Sequence, residues 1–329
     1  MIFVDNQNNF DPRINLAIEE HLLRTLDTED DILLFYINQP SIIIGRNQNT
    51  LEEINHEYVE NNGVHVVRRL SGGGAVYHDF GNLNFSFISN YSRDNFKNFK
   101  KFTGPVIEVL RSMGVPAELS GRNDILVEGR KISGNAQYTT SRRMYSHGTL
   151  LLDTNLEHLV ASLNVKMSKI ESKGIKSVRS RVANISEYLN EKMDTVTFRK
   201  RLLEGIFNGS STIPEYKLSD DDWKAIRKLF DERYSTWEWN YGHSPDFNVK
   251  KVERFPFGEV EARIDVHKGI IQALKIYGDF QGEGDIQDIE NALVGVRFDR
   301  ASMDEALKGL PVDRYFGGFS TEEFLGFLY

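Results

Sequence analysis

Residues Arg68–Phe87 read RRLSGGGAVYHDFGNLNFSF, and three consecutive glycines stand there between an arginine pair and His78. The preceding VHVVRR is rich in β-branched residues and predicts a strand. In the following LNFSFI, Leu83, Phe85 and Phe87 alternate onto one face, which predicts another. The glycines therefore join strand to strand. A phosphate-binding P-loop runs from strand to helix as GxxxxGK[ST], and a dinucleotide fold carries GxGxxG; neither pattern occurs. Exposed N–H groups beside guanidinium groups suit an anion, phosphate most of all. A wide hairpin with merely solvated arginines fits the same spacing.

Upstream, FDPRINLAIEEHLLRTL (10–26) predicts a helix with Asp11 as N-cap and Pro12 at its first position. DILLFYIN (31–38) and SIIIGRN (41–47) predict strands. NTLEEINHEYVENNG (49–63) predicts one helix with a Thr50–Glu53 capping box and Gly63 as terminator. Downstream, a helix is expected near Pro105–Met113. ILVEGRKISGNAQY (125–138) predicts two strands around a Glu128–Gly129 turn, and SHGTLLLD (146–153) another strand. Residues 155–235 are expected to be mostly helical. The pattern breaks around YGHSPDFNV (241–249), where Gly242, Ser244 and Pro245 would suit a hinge. A hairpin turning at Lys268–Gly269 follows, then helices, the last with a Ser320–Glu323 capping box. The expected division is a catalytic domain, 1–246, and a small accessory domain, 247–329.

Three further segments carry chemistry. In SGRNDILVEGRKISGNAQY (120–138), Lys131 precedes the Ser133–Gly134 pair and could reach a ligand lying on the backbone; an exposed hairpin lysine reads the same way. His147 opens an apolar strand, a position where a structural histidine is common. KMSKIESKGIKSVRSRVANI (166–185) groups Lys169, Lys173, Lys176, Arg179 and Arg181 in an otherwise acidic chain, either a phosphate or partner contact or a solvated face. HEYVE at His56 is not the HExxH zinc motif. A Mg²⁺ held by phosphates and one carboxylate leaves little trace, and Asp124 is its candidate.

Composition narrows the classes. The 329 residues carry a formal net charge of −8 and no cysteine. That charge disfavours a general nucleic-acid binder. Without cysteine there are no disulfides, thiolate zinc sites or cysteine nucleophile. The first residues lack the basic and apolar regions of a signal peptide. No apolar run approaches the ~20 residues that span a bilayer. A cytoplasmic protein without membrane partners is expected.

Taken together, six ordered motifs resemble the lipoate–protein ligases. INLAIEEHL, IIIGRNQN, RRLSGGGAVYHDFGNLNFSF, SGRNDILVEGRKISGNA, HGTLL and KGIKSVRSRVANI are similar to that family's blocks over nearly the whole chain. The resemblance implies an α+β fold: a biotin/lipoate ligase-like, class II tRNA synthetase-like large domain with a mixed sheet and flanking helices, plus a small α+β C-terminal domain. It implies that lipoate and ATP form lipoyl-AMP and pyrophosphate. The lipoyl group then passes to a lysine of a lipoyl domain in a 2-oxoacid dehydrogenase complex or of the glycine-cleavage H protein. Mg²⁺ would accompany ATP, with no tightly bound prosthetic group. By motif position, Lys131, Arg69 and His78 are the implied catalytic residues. Arg69, Gly74, Ala75, Val76, Tyr77, Asn82, Asp124, Lys131 and Gly134 would meet the nucleotide. Leu16, Ser71, His78, Lys131 and His147 would meet lipoate. Lipoyl or octanoyl transferases of related fold use a cysteine that this chain lacks. Biotin ligases carry a loop resembling GRGRxGR instead. A non-catalytic lipoyl-AMP-binding regulator is the remaining alternative.

Overall fold

The computed structural model describes residues 1–26, 28–46, 48–96, 98–121, 123–163, 181–210, 212–242, 247–278, 280 and 285–329, without the side chains of 247 and 248. The chain forms two compact units. The first comprises Met1–Gln48 and Glu53–Thr236; the second takes Asn49–Glu52 and Trp237–Tyr329. The expected boundary at 246, the hinge residues Ser244 and Pro245, and the basic residues from Lys166 to Arg179 lie outside the described residues.

The first unit is built on an eight-stranded mixed sheet. Its strands are β1 (Ile2–Asp5), β2 (Ile32–Ile37), β6 (Asn82–Asn90), β7 (Glu118–Ser120), β8 (Asp124–Val127), β9 (Arg130–Thr139), β10 (Arg143–Leu151) and β11 (Glu215–Tyr216), in the spatial order β11-β1-β2-β6-β10-β9-β8-β7. A second sheet has β3 (Ser41–Ile44) between β4 (His65–Arg68) and β5 (Val76–His78). The glycine run thus joins β4 to β5, strand to strand, and the three-residue β5 is an element that the sequence pattern did not separate.

The large sheet has two unlike faces. Leu83, Phe85 and Phe87 of β6 join Leu33 and Phe35 of β2 in a core completed by Phe102, Val106 and Leu110 of α4 (Phe99–Ser112) and Phe198 and Leu202 of a later helix, Thr195–Ile206. The alternate residues of β6, Asn82, Asn84 and Ser86, face the other way and are nonetheless buried. Strand alternation puts β10 residues Tyr145, His147 and Thr149 on that second face, His147 opposite Ser86 and Thr149 opposite Asn84.

Several expectations shift in detail. The helix expected over 49–63 divides into α2 (Thr50–Glu53) and α3 (His56–Asn61), because Ile54 bridges to Leu163 and Asn55 caps the second segment through Tyr58 N–H. Helix α4 begins at Phe99 under an Asn98 cap, so Pro105 lies inside it. The turn at Glu128–Gly129 has positive φ at both residues, 50° and 76°. That is the geometry of a tight two-residue hairpin. The 155–235 region holds Leu156–Ser162, Thr195–Ile206 and Asp220–Leu229 as helices among its described residues.

In the second unit, β12 (Phe247–Phe255), β13 (Gly258–His267) and β14 (Ile270–Gly278) form an antiparallel meander. Its inward residues Val260, Ala262, Ile264 and Val266 pack on a phenylalanine cluster that includes Phe316, Phe319, Phe324 and Phe327. The turn at Lys268–Gly269 and the Ser320–Glu323 capping box form as the sequence indicates. The strand Phe247–Phe255 was not anticipated; it follows the segment where the pattern breaks.

Helix α1 (Pro12–Arg24) starts at the Asp11 cap with Pro12 in its first turn. It is fixed at its far end by Glu20, a carboxylate 1% exposed that accepts hydrogen bonds from Arg24, Arg233 and Tyr234. Glu20→Ala removes the acceptor of the buried Tyr234 hydroxyl, while the half-exposed arginines turn to water, and should cost about 1–3 kcal/mol. Urea unfolding of the variant measures it; a cost below about 1 kcal/mol would mean the cluster contributes little.

Candidate active site

On the polar face of the large sheet, beneath the small sheet, lies a cavity of about 160 Å³. Leu16 of α1, Tyr36 of β2 and Ile43 of β3 form apolar wall, with Val76 and His78 of β5 beside them. Gly73, Gly74 and Ala75 contribute backbone. Asn84, His147, Gly148 and Thr149 come from β6 and β10, and Asn123, Lys131, Gly134, Asn135 and Ala136 from β9 and the segment leading into β8.

The two arginines are neither solvated nor free for a ligand in the simple sense. Arg68 is fully buried and donates through Nη1 to the carbonyls of Gly45, Arg46 and Gln48 at 2.8–3.0 Å. Burial lowers its pKa to about 10. Arg69 donates Nε–H to Ser71 Oγ (3.0 Å), Nη1–H to Ile43 O (3.0 Å), and Nη2–H to Gly72 O (2.9 Å) and Gly74 O (2.8 Å). The guanidinium thus curls the glycine loop around itself while remaining on the cavity wall. Desolvation lowers its pKa, opposed by Tyr145, Tyr36 and Glu19.

That clamp explains two of the glycines. A Cβ on Gly73 would stand 3.0 Å from Arg69 Nη2, and its φ of +103° already favours glycine. A Cβ on Gly45 would stand 1.9 Å from Gly73 O, so the end of β3 admits no side chain there. Gly72 and Gly74 face open space.

Behind this wall runs a second chain of bonds. Ser71 Oγ accepts from Arg69 and lies 2.7 Å from His147 Nε2; His147 Nδ1 lies 3.0 Å from Glu19 Oε1. The carboxylate requires a donor, so His147 carries a proton on Nδ1; when the ring is neutral, Nε2 accepts from the Ser71 hydroxyl.

Lys131 stands on a bulge of β9, where the register with β8 shifts, and its backbone pairs with Arg181 O (2.7 Å) and Ala183 N (3.0 Å). Its ammonium lies 2.8 Å from Asp124 Oδ1, both side chains half-exposed. A Cβ on Gly134 would stand 2.9 Å from Lys131 Nζ, so glycine there gives the lysine its path.

His78 has the most perturbed environment. Desolvation, then Arg69 and His147, push its pKa down to about 3, so it is neutral. Nδ1 faces Asn38 Nδ2 at 3.0 Å. Nε2 is buried with no partner among the described residues.

Of the residues expected from sequence, Leu16, Arg69, Gly74, Ala75, Val76, His78, Lys131, Gly134 and His147 meet on this one cavity. Four do not reach its wall. Tyr77 alternates away from Val76 and His78 and buries its side chain. Ser71 sits behind Arg69, and Asn82 donates to Asn84 Oδ1 one step along β6. Asp124 is the counter-ion of Lys131 and reaches the cavity only through it. The Lys131 ammonium takes Asp124 Oδ1, and no group of three metal-ligating side chains exists among the described residues. The residues present do not fit a protein-built Mg²⁺ site.

Sequence reading missed Tyr36, Ile43, Asn84, Asn135 and Thr149 on the wall and Glu19 behind it. One signal was available: Asn82, Asn84 and Ser86 alternate with the phenylalanines of β6, and polar residues on a central strand mark a lined cavity.

Comparison with known proteins identifies the family. The profile of the lipoyl protein ligase A/B catalytic domain matches residues 11–207, and that of the bacterial lipoate protein ligase C-terminus matches 244–328. The chain belongs to the lipoate–protein ligase family. It is 58% identical over 331 residues to lipoate-protein ligase LplJ of Bacillus subtilis, covering 100% of each chain. The fold is similar to that of a bipartite lipoate protein ligase of an archaeal lipoylation system from Thermoplasma acidophilum, studied with its E2 lipoyl domain (TM-score 0.66, 32% identity, 74% of this chain and 96% of that one). It is also similar to a lipoate-protein ligase A bound with ATP (TM-score 0.62, 31% identity, 74% of this chain and 97% of that one). As the family's fold requires, a large mixed sheet with flanking helices is joined to a small α+β unit. No helix among the described residues is long and apolar enough to cross a membrane.

Two outcomes follow from the wall's construction. Gly45→Ala should lose about 1–3 kcal/mol in urea unfolding by pushing the glycine loop off Arg69, whereas Gly72→Ala should change little; equal effects would show that the loop is not held against Gly45. Because the folded pKa of His78 lies near 3, below the ordinary 6.5, the unfolded chain takes up this proton first as pH falls. The stability it contributes is complete above about pH 6.5 and drains away towards pH 3. The slope of stability against pH in that window should flatten in His78→Gln; an unchanged slope would show that His78 is not buried neutral.

Proposed function

We propose that this chain is an ATP-dependent lipoate–protein ligase acting in two steps in the cytoplasm, in lipoate salvage. In the first, a lipoate carboxylate oxygen attacks the α-phosphorus of ATP. A P–O bond forms, the bond to the β-phosphate breaks, and pyrophosphate leaves. In the second, the ε-amine of an acceptor lysine attacks the lipoyl carbonyl carbon. The amide forms, the acyl–phosphate bond breaks, and AMP leaves. The acceptors are lipoyl domains of 2-oxoacid dehydrogenase complexes or the glycine-cleavage H protein.

The observation that carries this reading is the convergence of Lys131, the bare Gly73–Ala75 backbone and His78 on one cavity whose remaining wall is largely apolar. Joining a carboxylate to a polyphosphate sets anion against anion, so the reacting centre needs cationic and N–H donors. Lys131, tethered by Asp124 rather than buried, can follow the bond that is made in one step and broken in the next. The backbone from Gly74 to Tyr77 would lie along the nucleotide. Leu16, Tyr36 and Ile43 suit the lipoyl chain, and His147, locked by Glu19, would border it. Mg²⁺ would come with the triphosphate, and Asp124 is the carboxylate candidate beside it. The acceptor lysine, with an ordinary pKa of about 10.4, must lose its proton before attack; close approach to the Lys131 ammonium favours that loss.

Lys131→Ala should abolish lipoate-dependent ATP–pyrophosphate exchange. A variant that still formed lipoyl-AMP at near wild-type rate would overturn the assignment of Lys131.

A further inference from the structure

His78 is held from behind by a file of buried amides. Asn38 Nδ2 lies 3.0 Å from His78 Nδ1, Asn15 Nδ2 2.8 Å from Asn38 Oδ1, and Asn6 Nδ2 2.8 Å from Asn15 Oδ1. Asn6, Asn15, Asn38 and His78 are 1%, 0%, 0% and 4% exposed. None of the three asparagines lines the cavity.

The direction of the file is dictated by the main chain. Asn6 Nδ2 also faces Asn9 O at 2.8 Å, and Asn15 Nδ2 faces the same carbonyl at 3.0 Å. A carbonyl only accepts, so each of these side-chain ends must be the NH₂. Asn38 must then turn its oxygen to Asn15 and its NH₂ to His78. The Nδ1 of His78 is thereby an acceptor, and a neutral imidazole then carries its proton on Nε2. That N–H is the atom left without a partner among the described residues, on a ring that lines the cavity.

We propose that Asn15 and Asn38 are positioning residues that fix the Nε2–H tautomer of His78, making it a neutral hydrogen-bond donor to an oxygen at the acyl–phosphate junction of the bound adenylate. The inference rests on the ligase reading of this cavity. The opposite tautomer would set donor against donor at Asn38 and turn a lone pair towards the ligand oxygen. A donor fixed beforehand needs no reorganisation when charge develops on that oxygen.

The test uses the full-length, ligand-free, ¹⁵N-labelled protein, in which imidazole ¹⁵N–¹H correlation spectra at neutral pH report each histidine's tautomer. Wild type should show His78 protonated at Nε2. Asn38→Asp offers only acceptors and should move the proton to Nδ1. Asn15→Asp does the same from one residue further away: its carboxylate takes the Asn38 NH₂, turning that amide so that its oxygen meets His78. Both variants should lower kcat for lipoate-dependent pyrophosphate exchange by about 10²-fold, with little change in KM for ATP. A wild-type Nδ1–H tautomer, or a shifted tautomer with unchanged kcat, would overturn the proposal. An Nε2–H wild type without any lipoate-dependent exchange would instead overturn the function assigned to the cavity.

Discussion

The site depends on one buried cation. Arg69 gives four hydrogen bonds to its own surroundings, three of them to backbone carbonyls at Ile43, Gly72 and Gly74. A guanidinium presents its donors in a rigid planar fork, so the carbonyls it meets are fixed in relation to one another. The glycine loop is consequently not a slack connection between strands. It is wrapped on Arg69, pressed against Gly45, and joined through Ser71 and His147 to Glu19 on the first helix. Arg68 fastens the neighbouring loop in the same way. For Arg69, burying the charge is costly, and the four hydrogen bonds from its guanidinium offset that cost.

The second constraint is the two-faced sheet. One face of β6 and β10 is a phenylalanine-rich core; the other carries amides, hydroxyls and histidines in a buried layer. Such a layer is stable only when its polar atoms are bonded to each other or to a ligand. Most of its groups are bonded within the protein. Asn82 Oδ1 and Ser86 Oγ have no partner among the described residues, nor does Nε2 of His78, whose ring lines the cavity from β5 of the small sheet.

The strands and helices with clear periodicity were legible from sequence: the Asp11-capped helix, the Glu128–Gly129 and Lys268–Gly269 turns, and the alternation in LNFSF all act locally. The single helix expected over 49–63 broke because Asn55 competes as a cap in mid-run, a choice settled by the tertiary pairing of Ile54 with Leu163. Pro105 marked a helix start in the sequence but is tolerated within α4, whose apolar stripe on the core extends back to Phe99 and Phe102. The convergence of Lys131, His78 and the glycine loop could be anticipated from motif order alone. What could not be read was how each group is held. Whether an arginine beside a glycine run meets a ligand or its own backbone depends on which carbonyls the fold brings near. The amide file from Asn6 to Asn38 joins residues scattered over more than thirty positions. No local spacing encodes it.

The central claim is that one cavity holds the acyl-adenylate between Lys131 and the loop wrapped on Arg69. A crystal structure of the full-length protein with lipoyl-AMP tests it most directly. The account predicts the acyl–phosphate junction within hydrogen-bond reach of Lys131 Nζ and His78 Nε2, the nucleotide along Gly74–Tyr77, and the Arg69 bonds to Gly72 and Gly74 intact. An adenylate bound elsewhere, or a loop that had to leave Arg69 to admit it, would contradict the account.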